Sequence, residues 1–68
     1  MDSSEARAKT VETLKEKVYQ IINTSISDGE FEHNFRMKYM IIEVQQELVY
    51  KGFLLESRPD NTITVSWG

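Results

Sequence analysis

The 68-residue sequence predicts an α+β fold in which two helices pack on one face of a small three-stranded sheet. Two segments repeat apolar residues at helical spacing, and residues 31–39 alternate apolar and polar as a half-buried strand does. The segment 53–68 holds two runs of strand-forming residues around Pro59-Asp60-Asn61, which predicts a C-terminal hairpin. The element order is therefore α-β-α-β-β. With no linker or repeat, residues 1–68 are predicted to form a single domain.

The first helix is predicted from Ser4 to Ser25. Asp2 or Ser3 is expected to cap its N-terminus, because a short polar side chain accepts hydrogen bonds from the free backbone N–H groups there. Its end is expected near Asn23-Thr24-Ser25, whose side chains compete for backbone hydrogen bonds, and before Asp28-Gly29. Residues spaced by three or four share its apolar face: Val11, Leu14, Val18 and Ile21.

The next segment is open to two interpretations. Rings or methionine occupy positions 31, 33, 35, 37 and 39, and polar residues lie between them, which favours a strand with one buried face. A capping-box pattern over Ser27-Asp28-Gly29-Glu30 would instead start a helix here. We favour a short strand over residues 30–35.

The second helix is predicted from Met37 to Lys51. A cation in the last turn, a glycine and then an apolar residue mark its end at Lys51-Gly52-Phe53. Its apolar face is expected to consist of Met37, Ile41, Val44 and Leu48, with Met40 beside them.

The hairpin strands are predicted over 53–57 and 62–67. Arg58-Pro59-Asp60-Asn61 suits a type I turn, because proline fixes φ at the second position. One face of the first strand is expected to carry Phe53, Leu55 and Ser57, and one face of the partner strand Ile63, Val65 and Trp67. An isolated hairpin is marginally stable, so both strands should rest on the helices.

Composition narrows the function classes. The chain has no cysteine, which excludes a disulfide, a thiolate zinc site and a cysteine nucleophile. It has only one histidine, too few for a tetrahedral zinc site, and its net charge is −3. We expect no cofactor and no metal. The longest apolar run is far shorter than a membrane span, and the first residues are acidic and polar. We therefore expect a cytoplasmic protein without membrane association.

His33 and the acidic residues near it are the candidates for site chemistry. His33 would serve as a general base oriented by a carboxylate, but the alternation places it opposite Glu30 and Glu32. Asp28, Glu30 and Glu32 do not follow the spacing of a calcium-binding loop. A packing role for His33 and a polar loop for the acids are favoured, and we expect no enzymatic activity.

The C-terminal half carries one resemblance with a functional implication. Its order of helix, Gly52-Phe53, strand, turn and strand resembles the third helix and wing of winged-helix DNA-binding domains. The resemblance implies a helix in the major groove and a wing on the backbone. Nucleic-acid contacts would then come from Arg36, Lys38, Lys51 and Arg58. Glu43, Glu47 and the negative net charge oppose this alternative.

A second resemblance covers most of the chain. The first helix, Asp28-Gly29-Glu30-Phe31, the second helix, Lys51-Gly52-Phe53-Leu54 and the final Thr62-Ile63-Thr64-Val65-Ser66-Trp67 resemble small accessory proteins of tailed bacteriophages. This group is largely uncharacterised, so the resemblance implies a viral origin, and with it the host cytoplasm, and no particular activity.

Aromatic residues supply the leading hypothesis. Trp67, Tyr50 and Phe31 are candidates for a protein interface, since tryptophan and tyrosine are common interface anchors. For Trp67, closure of the core is the favoured alternative. An unprotected strand also leaves a sheet edge open to self-association. The sequence therefore predicts a non-enzymatic protein-interaction module that binds an unidentified partner protein or forms a homo-oligomer.

Overall fold

A computed structural model describes residues 1–68 and confirms the α+β fold with helices on one side of a three-stranded antiparallel sheet. A 3₁₀ turn over Met37–Tyr39 separates the first strand from the second helix. The other elements, in chain order, are α1 Ser3–Ser27, β1 Glu32–Arg36, α2 Ile42–Tyr50, β2 Leu54–Ser57 and β3 Thr62–Ser66.

Strand β3 lies at the centre of the sheet, in the order β1-β3-β2, and both neighbours run antiparallel to it. Val65 therefore lies opposite His33 on one side and Leu55 on the other. Because β3 is paired along both of its edges, Ile63, Thr64 and Val65 are all buried. Strands β1 and β2 each have one unpaired edge.

The core lies between the helices and the inner face of the sheet. Ten of the 68 residues are buried, so the interior is thin even for a domain of this size. Its eight apolar members come from α1, β1, α2 and β3, and from the link between the 3₁₀ turn and α2: Val18, Ile22, Phe35, Met40, Val44, Leu48, Ile63 and Val65.

Helix α1 extends two residues beyond its predicted end. Asp2 caps it as expected, its carboxylate accepting a hydrogen bond from the Glu5 backbone N–H at 2.8 Å. The helix continues through residues 23–25 because Ser25 is buried, and its hydroxyl is 3.1 Å from His33 Nδ1. It ends at Ser27, where Gly29 adopts φ 81° and allows the chain to turn.

The predicted start of the second helix is wrong by five residues. Instead of continuing the helix from Met37, the chain forms the 3₁₀ turn and then an extended residue, Ile41, at φ −64° and ψ 160°. This path buries Met40 and leaves Met37 half exposed. Gln45 stabilises the turn, donating from its side-chain amide to the Met40 carbonyl at 2.6 Å.

The predicted glycine cap at the end of α2 and the predicted turn of the hairpin are confirmed. Gly52, at φ 94°, lets the Phe53 N–H reach the Leu48 carbonyl at 3.0 Å. In the turn, Asn61 adopts φ 62°, a conformation that asparagine tolerates, and donates to the Arg58 carbonyl at 3.3 Å. Neither helix has the length and apolar character required to cross a bilayer.

Candidate interaction surfaces

Two of the three aromatic interface candidates meet at one end of the sheet. The backbone N–H of Trp67 donates to the Phe31 carbonyl at 2.9 Å, and the Trp67 ring packs edge-on against Phe53 with centroids 6.1 Å apart. Trp67 is half-buried and extends the core, in agreement with the favoured core interpretation. Phe31 lies beside Gly68 but keeps 69% of its surface exposed.

Tyr50 is the most exposed aromatic residue of the protein, at 86%, and it belongs to a larger apolar surface. The outer side of α2 carries residues at spacings of three and four that together line a shallow depression. None of them is charged. We call this surface the α2 stripe, and its residues are Ile42, Gln45, Gln46, Val49 and Tyr50.

The four candidates for nucleic-acid contacts do not form one surface. Arg58 lies at the hairpin turn, where its guanidinium pairs with Glu56 at 3.5 Å and donates to the Thr64 hydroxyl at 3.1 Å. Lys51 follows α2 at the opposite end of β2. Lys38 lies in the 3₁₀ turn, and Arg36 directly precedes that turn. Helix α2, which would be the recognition helix, contains two glutamates and no base.

Ion pairs join α1 to α2. Arg7 pairs with Glu43, and Lys15 pairs with Glu47 at 3.4 Å. The backbone N–H of Glu43 at the start of α2, followed by the Arg7 guanidinium, lowers the pKa of the Glu43 carboxyl. This flank of α1 therefore has its positive charges neutralised.

Tyr19 adds a hydroxyl to the same interface. Burial and the neighbouring Glu47 carboxylate raise the pKa of Tyr19 to about 12. The hydroxyl and the Lys15 ammonium group in turn lower the pKa of Glu47. The hydroxyl lies beside the carboxylate without reaching ordinary hydrogen-bond geometry.

The other flank of α1 carries a feature that the sequence analysis missed. Three lysines that make no ion pair line an open cavity of about 390 Å³ between α1 and the 3₁₀ turn. No acidic residue lines it. We call this cavity the lysine groove, and its lining is Lys9, Thr10, Thr13, Leu14, Lys17, Lys38 and Tyr39. The spacing of Lys9, Thr13 and Lys17 on one helical face was the available sequence signal.

His33 makes packing contacts. Its ring lies edge-on to Phe35 with centroids 4.8 Å apart, and it hydrogen-bonds to Ser25. Glu32 is exposed, and no three residues among histidine, aspartate and glutamate come together as metal ligands. These contacts account for the position of His33 at the junction of α1 and β1.

No protein-family model matches the chain, and no significant match appears among curated proteins or solved structures. The function is therefore inferred from the surfaces alone.

Proposed function

We propose that the protein is a non-enzymatic protein-interaction module that self-associates through the α2 stripe. The observation that carries the proposal is the exposure of Ile42, Val49 and Tyr50 on one side of a nine-residue helix, at 59%, 60% and 86%. Isolated exposed apolar residues are ordinary, but three of them on one uncharged helical face form a patch of the kind that marks interfaces.

The occupant we assign to the stripe is a second copy of the same chain. In an antiparallel two-fold pair of α2 helices, Ile42 of one copy faces Val49 and Tyr50 of the other. Gln46 then lies near the axis, where side-chain amides can pair because each one both donates and accepts. No like charges are brought together. The stripe can therefore pair with a second copy of itself through apolar contacts at its ends and amide hydrogen bonds at its centre.

The open sheet edges are weaker candidates for self-association. Strands β1 and β2 contain only five and four residues, and they carry Glu32, Arg36 and Glu56. Short edge strands with charged side chains are a common protection against edge pairing. The edge pairing predicted from the sequence thus stays a second mode of self-association, less favoured than the α2 stripe.

A weak dimer is expected. A nine-residue helix is only about 13 Å long, so the pair buries less than the roughly 800 Å² per partner of a standard interface. A dissociation constant on the order of 100 µM corresponds to about 5.5 kcal/mol. The association should appear only at high protein concentration.

Sedimentation equilibrium from low micromolar to millimolar protein tests the proposal. We expect the average mass to rise from monomer toward dimer, and Val49→Gln and Tyr50→Gln each to shift the rise to higher concentration. Ile26→Gln is the matched control, since Ile26 is 52% exposed on a helix but lies outside the stripe. A strict monomer throughout, or an equal effect of the control, would refute self-association through α2.

The remaining functional predictions are narrower. A bacteriophage origin and a cytoplasmic location stay predictions from the sequence, and both are compatible with a small interaction module. The charges of α2 do not favour it as the recognition helix of a winged-helix DNA-binding domain, because phosphates would meet Glu43 and Glu47 and no base.

A further inference from the structure

We infer that the lysine groove binds the phosphate backbone of a single-stranded nucleic acid. This site is separate from the α2 stripe and from the wing-like hairpin. Of the eight basic residues, Arg7, Lys15 and Arg58 make ion pairs. The five without an ion pair are Lys9, Lys17, Arg36, Lys38 and Lys51.

Four of these five cations follow one side of the protein. Lys9, Lys17 and Lys38 line the groove, and Arg36 lines an adjoining cavity of about 190 Å³. Tyr39 belongs to the walls of both cavities, so the two are neighbours, and we call them together the track. The acids that neutralise α1 all lie on its other flank or beside Lys15. No acidic residue lines either cavity, and the unpaired α1 acids Glu5 and Glu16 lie outside both linings, so the track is locally positive although the net charge is −3.

The length of the track favours a chain of phosphates over a single one. Lys9 and Lys17 are eight residues apart on α1, or about 12 Å along the helix axis. Lys38 lies opposite them, and Arg36 continues the track past Tyr39. A ligand with several anionic groups can pair with each of these spaced cations, whereas a single phosphate cannot.

Tyr39 favours nucleic acid over an acidic peptide. Its half-buried ring lines the groove, and the Lys38 ammonium group lies over one face of the ring, 5.0 Å from the centroid, from where it must move aside for a base to stack on that face. The ring also makes an edge contact with Phe35 of the core, with centroids 6.5 Å apart. A basic groove with an aromatic platform is the combination that single-stranded nucleic-acid sites use, since every base can stack on a ring.

Fluorescence anisotropy with a labelled twelve-residue oligothymidylate tests the inference on the full chain. Three to four phosphate contacts give a slope of log K against log salt of roughly −2 to −3, so binding should weaken roughly 20- to 50-fold between 50 and 200 mM salt. Lys9→Gln, Lys17→Gln and Lys38→Gln should each reduce that slope by about 0.7 and weaken binding roughly five- to tenfold at 50 mM salt.

Lys51→Gln is the matched control, because it makes the same change in net charge at an exposed lysine outside the groove. It should bind as the unmodified protein does. Equal losses for Lys51→Gln and Lys17→Gln would overturn the inference, and so would the absence of binding at 50 mM salt. Tripolyphosphate or poly-glutamate that competes as well as the oligonucleotide, at equal charge, would also overturn it.

Discussion

Met40 and Met37 offer a direct test of the path between β1 and α2. Met40 is 2% exposed and Met37 is 47% exposed, although they are only three residues apart. Replacing a buried methionine by alanine removes three heavy atoms, at about 0.8 kcal/mol each, or about 2.4 kcal/mol. The cavity left behind raises the expected cost of Met40→Ala into the range of about 2–5 kcal/mol.

For Met37→Ala the expected cost is about 1 kcal/mol, because half of the side chain is already in water and no cavity forms. Urea unfolding, followed by helix circular dichroism, measures both variants. A domain of 68 residues has a total stability of roughly 3–10 kcal/mol, so Met40→Ala should lose a large part of it. Equal losses would indicate that both methionines lie on the buried face of a helix starting at Met37, and would refute the structure of this segment.

Three further predictions concern the ends of the helices and the contact between them. Gly52→Ala should cost about 1 kcal/mol in urea unfolding, because φ is 94° while no atom lies within 4 Å of the added Cβ. Asp2→Ala should also cost about 1 kcal/mol because it removes the N-cap. If neither the free energy of unfolding nor the helix content fell, this prediction would be wrong. Folding lowers the pKa of Glu43 and Glu47, so their contribution to stability is present above the ordinary glutamate value of about 4.3 and is lost as the pH falls through the lower folded-state values. Unfolding at pH 7 and pH 3 should show a smaller difference in Glu43→Gln/Glu47→Gln than in the unmodified protein.

The sequence was sufficient for the parts of the fold that depend on local chemistry. The end of α2 at Gly52 and the hairpin turn at Pro59 could be located from the sequence, because only certain residues adopt the backbone angles required there. The start of α2 was misplaced because Met37 fits two periods at once, the alternation of the strand and the 3.6-residue repeat of the helix. Only tertiary packing, which inserts Met40 into the core, decides between them.

The same distinction explains the surfaces. Trp67, Tyr50 and Phe31 were identified as common types of interface anchor, but which of them is exposed depends on packing: Trp67 packs against Phe53, whereas Phe31 and Tyr50 stay largely exposed. The lysine groove needs Lys38 from the 3₁₀ turn beside two lysines of α1, a pairing that no local pattern specifies. Long-range packing, which the local sequence does not reveal, sets both surfaces.

Helix α1 explains how one acidic protein carries two different surfaces. On the side toward α2, Arg7 and Lys15 pair with Glu43 and Glu47, so the bases there hold the helices together. That pairing uses the acids of α2 on its inner side and leaves the α2 stripe uncharged. On the opposite flank of α1 no acid lines the groove, and Lys9 and Lys17 make no ion pair, so they are free to meet an external anion. Self-association and anion binding can therefore proceed on the same molecule without competing for residues.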